Sequence, residues 1–126
     1  SKGLSSSIHQ RARTMEVEEH DKYMSYVLGL SHAINIAFFT VLERSGITFD
    51  DMRSVASTTY SKLMDSNASV ALEDPYLYYE IQHLNAYRKE MLGEFDASVK
   101  DVVVAALDEE PVAFKKLMDR GRNYFT

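Results

Sequence analysis

Residues 18–45 read EEHDKYMSYVLGLSHAINIAFFTVLERS, and the fold follows from how that stretch is wound. Tyr23, Tyr26, Val27, Leu30, Ala33, Ile34, Ala37, Phe38, Val41 and Leu42 recur at steps of three and four residues, the period of a helix face. Leu28, Ile36 and Phe39 add a second apolar face. The stretch opens on acids, which suit the positive end of a helix dipole. It closes on Arg44, Ser45 and Gly46, a basic last turn followed by a glycine stop. The spacing predicts one long helix over 18–44. A helix apolar on more than one side is buried centrally or shared with another chain.

Downstream the punctuation is local. Thr48 is placed to cap a short helix, with Asp50 and Asp51 in its first turn. Ser57-Thr58-Thr59 breaks the chain, and a third helix is expected from about Thr59 to Leu72, with Tyr60, Leu63, Met64 and Val70 inward. Its middle, Asp65, Ser66, Asn67 and Ser69, is polar, and polar groups on an inner helix line a cavity or face water. Asp74-Pro75 pairs an N-cap with the residue favoured at the first helical position. From there one long fourth helix is expected through Ile81, Leu84, Tyr87, Met91, Phe95, Val99, Val103 and Ala106, with Gly93 as a kink. Asp108-Glu109-Glu110-Pro111 introduces a last helix with Val112, Phe114, Leu117, Met118, Tyr124 and Phe125. No period-2 alternation and no hairpin turn signal interrupts this, so the chain reads as all-α with about five helices, the first and fourth long.

Composition narrows the function. The 126 residues suit one domain with a core, and 45% hydrophobic with 26% charged residues is globular. There is no cysteine, which excludes disulfides, thiolate metal sites and a cysteine nucleophile and is compatible with the cytoplasm. The net charge of −5 comes without a basic block, so no nucleic-acid partner is expected. The apolar runs stop well short of the ~18 residues of a membrane span, so no membrane partner is expected either. Residues 1–17 are polar and mixed and read as a linker. The opening Ser-Lys-Gly lacks an initiating Met, as a piece of a longer chain would.

Few residues promise chemistry. His20-Asp21 is an adjacent pair of the kind metal-dependent phosphohydrolases use, but His9, His32 and His83 stand at no supporting spacing; a solvated first turn is the plainer reading. Glu80-x-x-His83 has di-iron bundle spacing, but such bundles need two such motifs and two further glutamates. His32 lies near the apolar face of the first helix, where a hydrogen-bonded core histidine is the ordinary outcome. Gly29 weakens that helix and needs a reason: a close helix crossing, or a ligand against the backbone. Tyr76, Tyr78, Tyr79 and Tyr87 cluster at the start of the fourth helix, either as packing with one wet edge or with a hydroxyl facing a cavity. No phosphate loop, nucleophile elbow or G-x-G-x-x-G is present.

Two segments carry a resemblance. Glu18-Glu19-His20-Asp21 followed by Tyr26-Val27-Leu28-Gly29-Leu30-Ser31-His32 resembles the helix that opens the C-terminal domain of prephenate dehydrogenases, with its E-E-H-D start and G-L-T-H or S-H-L-P-H element. Glu73-Asp74-Pro75-Tyr76-Leu77-Tyr78-Tyr79-Glu80-Ile81 resembles that family's D-P-x-L-Y-x-D-I element. Order and separation agree, and the resemblance covers roughly residues 12–126.

The resemblance implies an intertwined homodimer. It makes 18–126 a dimerisation and substrate-closing domain and 1–17 the lead-in from an N-terminal Rossmann domain that binds NAD or NADP. The implied reaction is oxidative decarboxylation of prephenate to 4-hydroxyphenylpyruvate, in tyrosine biosynthesis. The catalytic histidine and the cofactor site belong to the Rossmann half, so this chain is expected to hold no catalytic, cofactor-binding or metal residue and to be inactive alone. His32 falls on the family's cleft-facing histidine, Gly29 matches the G-L-T-H form, and Ser69 stands where many members carry an arginine that grips a substrate carboxylate. Serine cannot replace a bidentate guanidinium; Arg53 and Arg88 are the candidate substitutes. The alternatives are a structural dimerisation module of a dehydrogenase with another substrate, and a free-standing helical metalloprotein.

Overall fold

The computed structural model describes residues 17–126. Among the described residues there are six helices and no strand: α1 Val17–Arg44, α2 Phe49–Ser54, α3 Thr58–Ala71, α4 Pro75–His83, α5 Arg88–Leu107 and α6 Val112–Phe125. The protein is all-α, as the periodicity requires. The expected lead-in lies outside the described residues except for Val17, which opens α1.

The punctuation works through side-chain caps. Thr48 Oγ1 accepts the Asp51 N–H at 3.1 Å, Ser57 Oγ the Tyr60 N–H at 3.2 Å and Asp74 Oδ1 the Tyr76 N–H at 3.0 Å. Each satisfies an amide that a helix start leaves free. Gly46 ends α1 with φ +76°, a conformation glycine adopts without strain.

The long fourth helix is two helices. The break falls at Leu84–Tyr87, and Gly93 is an exposed interior position of α5. Asn85 causes it. Its Oδ1 accepts the Tyr87 N–H at 2.7 Å, and its Nδ2 reaches the Asp21 carbonyl at 3.2 Å. An asparagine side chain bonding the backbone two residues on competes with the helical ladder. This raises the expected five helices to six.

The chain divides into two compact units, the first ending at Met91 and the second spanning Leu92–Thr126. In the first, α1 packs on α3 and α4. The side chains that α1 buries are not its large apolar ones. Ser25, Gly29 and Asn35 are buried, while Tyr23, Val27, Leu28, Ile34 and Val41 are exposed. Half of the periodic face expected to form the core is therefore exposed, while Tyr26, Leu30, Ala33, Phe38 and Leu42 are half-buried, and only 17% of the most apolar part of α1 is buried. On α3, Val70 is buried and Tyr60 and Met64 are half-buried, but Leu63 is exposed.

By length and composition α1 is also long and apolar enough to cross a membrane, contrary to the expectation from its short apolar runs. Those runs lie on one helix, and two serines, one glycine and an asparagine do not lower its apolarity enough. A helix buried against protein passes the same test.

The second unit buries still less. Val99, Val102, Val103, Val104 and Leu107 of α5 are exposed, as are Val112, Phe114, Met118, Tyr124 and Phe125 of α6; Ala105 is its buried apolar residue. Residues 92–126 are fewer than the roughly 40 below which a chain seldom folds unaided.

Candidate functional site

The turns Ser25–Leu30 of α1 are wound as a π-helix, with α-helix on both sides. Such a bulge carries one residue more than the α register and often marks a functional position. Gly29 sits in it, buried, and its carbonyl accepts a hydrogen bond from Gln82 Nε2 of α4 at 2.7 Å. A Cβ at this position would lie 2.8 Å from Met91 Cε, closer than contact allows, and 3.7 Å from Gln82 Oε1. Met91 is 1% exposed, so its methyl has little room to withdraw. The glycine is there because the Met91 side chain closes onto the backbone of α1: of the two reasons a mid-helix glycine needed, close packing is the one observed.

His32 follows one turn later. Its ring meets Tyr78 of α4 edge-on, with centroids 4.7 Å apart at 80°. Tyr78 and Gln82 are four apart on α4, so one face of that helix holds both the glycine and the histidine of α1. His32 Nδ1 is buried without a hydrogen-bond partner. Burial disfavours the charged ring and lowers its pKa from 6.5. At neutral pH the imidazole is therefore neutral, with one donor and one acceptor nitrogen to offer.

Beside this pair lies an apolar groove of about 450 Å³, walled by Ile36, Phe39, Val70, Tyr78 and Tyr79, with Gln82 and Glu73 as polar members. Deeper in the first unit, Asn67 Nδ2 donates to Asn35 Oδ1 at 3.0 Å, both residues buried, joining α3 to α1. Asn35 Nδ2 also bonds the Ser31 carbonyl at 2.8 Å and Asn67 Nδ2 the Leu63 carbonyl at 2.8 Å. The pair fixes the relative register of the two helices, because sliding either would strand buried amides at a cost of about 1–3 kcal/mol each.

Of the three residues proposed from sequence, Gly29 and His32 share this site. Ser69 is exposed on α3, and its hydroxyl turns back to the Ser66 carbonyl at 2.8 Å. The two arginines considered in its place are engaged locally. Arg53 lies 3.5 Å from Asp50 and over the Phe49 ring, and Arg88 Nη1 donates to the Asn85 carbonyl at 3.1 Å. His83 stacks on Tyr79, centroids 5.0 Å apart at 13°, and His20, Asp21 and Glu80 are exposed. Among the described residues no three His, Cys, Asp or Glu side chains come together as a metal site would need.

An α1 with a glycine-histidine step pinned by an Asp-Pro-initiated tyrosine helix, in a chain that leaves its large apolar faces outside, finds its counterpart in a known family. The profile described as "Prephenate dehydrogenase, dimerization domain" matches residues 16–120. This chain belongs to that family. A curated relative, the "Probable arogenate/prephenate dehydrogenase" of Methanocaldococcus jannaschii, is 27% identical over 108 residues, which is 86% of this chain and 24% of the relative. The chain thus spans about a quarter of that relative's length. No solved structure matches it. Within this dimerisation domain, sequence reasoning missed Gln82 and Asn35, and it read Met91 only as part of an apolar helix face. Asn35 alone announced itself, as the one carboxamide in the apolar run Ala33 to Phe39.

Proposed function

We propose that this chain is the dimerisation and substrate-closing domain of an NAD- or NADP-dependent dehydrogenase that oxidatively decarboxylates prephenate or arogenate, on the cytoplasmic route to tyrosine. A Rossmann domain of the same polypeptide supplies the hydride acceptor. In the reaction the ring carbon bearing the hydroxyl gives up a hydride, the ring carboxylate leaves as CO₂, and the product ring is aromatic. The helical domain contributes a second copy of itself and a neutral hydrogen-bonding wall.

One observation carries the reading: in a family named for dimerisation, α1, α5 and α6 each leave a row of large apolar side chains exposed within a single chain. An area of that kind is unfavourable in water and is what an obligate, core-like interface covers. A homodimer meets the requirement and gives the apolarity of α1 a use that involves no membrane. His32 faces the substrate in this reading. A neutral imidazole in a partly desolvated site can hydrogen-bond the substrate without adding a charge that would compete with the hydride acceptor. Gly29 supports it from behind.

Two experiments test this separately. The chain alone is expected to run as a dimer in light scattering, and a stable monomer at micromolar concentration rejects the assembly. Joined to its nucleotide-binding half, it is expected to support reduction of the nicotinamide with prephenate or arogenate, and His32→Ala is expected to lower kcat/KM by at least tenfold. Unchanged turnover removes His32 from the site. A second reading rests on Ser69. With a hydroxyl bonded to the Ser66 carbonyl where the resemblance implies an arginine in many members, the domain serves only dimerisation in a dehydrogenase with another substrate. The joined enzyme then ignores both compounds.

A further inference from the structure

We propose that Ser25–Leu30 is a register switch: Gln82 and Met91 hold it in the wide π form, and their release lets α1 close into one continuous α-helix, turning residues 17–24 by one position relative to Ser31–Arg44. One position is about 100° of rotation and 1.5 Å of rise.

Three observations on different elements support this. First, the π-turn lies between stretches of regular α-helix, so the chain on both sides favours the tighter winding. Second, its clamps come from outside: the Gln82 amide on the Gly29 carbonyl and the Met91 methyl 2.8 Å from where a Cβ of residue 29 would be. Third, the wide form leaves polar atoms unmatched. Ser25 Oγ and Gln82 Oε1 both lie within 4 Å of that same Cβ position, and each is buried without a partner. A fully satisfied π-turn would be a fixed feature; one that is clamped and unsatisfied at the same point can exchange.

The upstream half is lightly tethered. Asp21 meets Asn85 through one exposed hydrogen bond, and Lys22 stands 3.8 Å from Glu90 with both side chains half in water. Exposed pairs of this kind offer little resistance to rotation. Downstream, α4 carries Gln82 and also Tyr78, which contacts His32. Gln82 is therefore a positioning residue: a turn of the N-terminal end of α1 reaches His32 through α4. This step needs no substrate, and only the meaning of a moved His32 rests on the proposed function.

The test is amide hydrogen exchange by NMR on the full chain. Gln82→Leu is expected to speed exchange at Ser25–Leu30 about tenfold, the worth of one hydrogen bond. Exchange in α3 should stay at wild-type values, and the His32 ring-proton resonance should shift although the Gln82 side chain bonds Gly29 and not His32. Deleting Leu28 removes the extra residue. That variant should fold with the segment protected, and adding Gln82→Leu to it should change nothing further. The proposal is overturned if Gln82→Leu leaves the segment and His32 as in wild type, or opens α3 equally. It is also overturned if Gln82→Leu costs the same with and without Leu28, or if the Leu28 deletion does not fold.

Discussion

The two units of this chain solve burial in opposite ways. In the first, contacts are few but specific: a glycine notch filled by Met91, an asparagine pair joining α1 to α3, a histidine edge on a tyrosine. In the second, α5 and α6 keep a ridge of valines and a row of aromatic and aliphatic side chains exposed, with little inside. Specific polar and close-packed contacts set where helices sit. Unspecific apolar area supplies the driving force, roughly 25 cal/mol per Å² removed from water. Specific contacts set the geometry of the first unit, and the second leaves most of its apolar area in water.

The contrast can be broken at several points. The largest effect should follow Val103→Glu. Val103 is 49% exposed in the single chain, so a monomer would tolerate the change within about 0.5 kcal/mol. A covered seam would not, and weakening of the dimer by at least a hundredfold in sedimentation equilibrium is expected.

Next is Asn67→Leu. It leaves Asn35 Oδ1 buried without a donor and should cost about 1–3 kcal/mol in chemical denaturation. Leu at both 35 and 67 should recover part of the loss, because no amide is then stranded. Asp74→Ala removes the cap of α4 and should cost about 1 kcal/mol, with dimer affinity unchanged. Lys22→Ala breaks a 3.8 Å exposed pair and should cost less than about 0.5 kcal/mol.

A pH series sharpens the first unit alone. Burial lowers the His32 pKa below its unfolded value of 6.5, so over that interval the unfolded chain binds the extra proton. Stability should rise with pH up to about 6.5 and be lost as pH falls below it. In thermal melts at pH 7.5 and 5.5, His32→Gln should flatten that dependence.

What could be read from the sequence was local. Thr48 and Asp74 announce helix starts through chemistry confined to three or four residues, and the structure places them as caps; Ser57, read only as part of a polar break, caps α3. The break at Asn85 escaped because Leu84-Asn85-Ala86 contains neither glycine nor proline, and the asparagine acts by bonding Tyr87 and the distant Asp21. The direction of α1's faces was illegible for a deeper reason. Val27, Ile34 and Val41 have the same periodicity whether they meet their own chain or another. Gly29 could be flagged as costly in a helix, yet its explanation lies in Gln82 and Met91, more than fifty residues away. His32 could be singled out only through the resemblance, whereas its lowered pKa comes from burial and its edge-on packing from Tyr78.

The most direct check is the molar mass of the intact chain at low micromolar concentration, by light scattering behind size exclusion. Twice the 14.4 kDa subunit mass is the predicted value, persisting on tenfold dilution. A well-folded species of single subunit mass, with its valine ridge in water, would contradict the account.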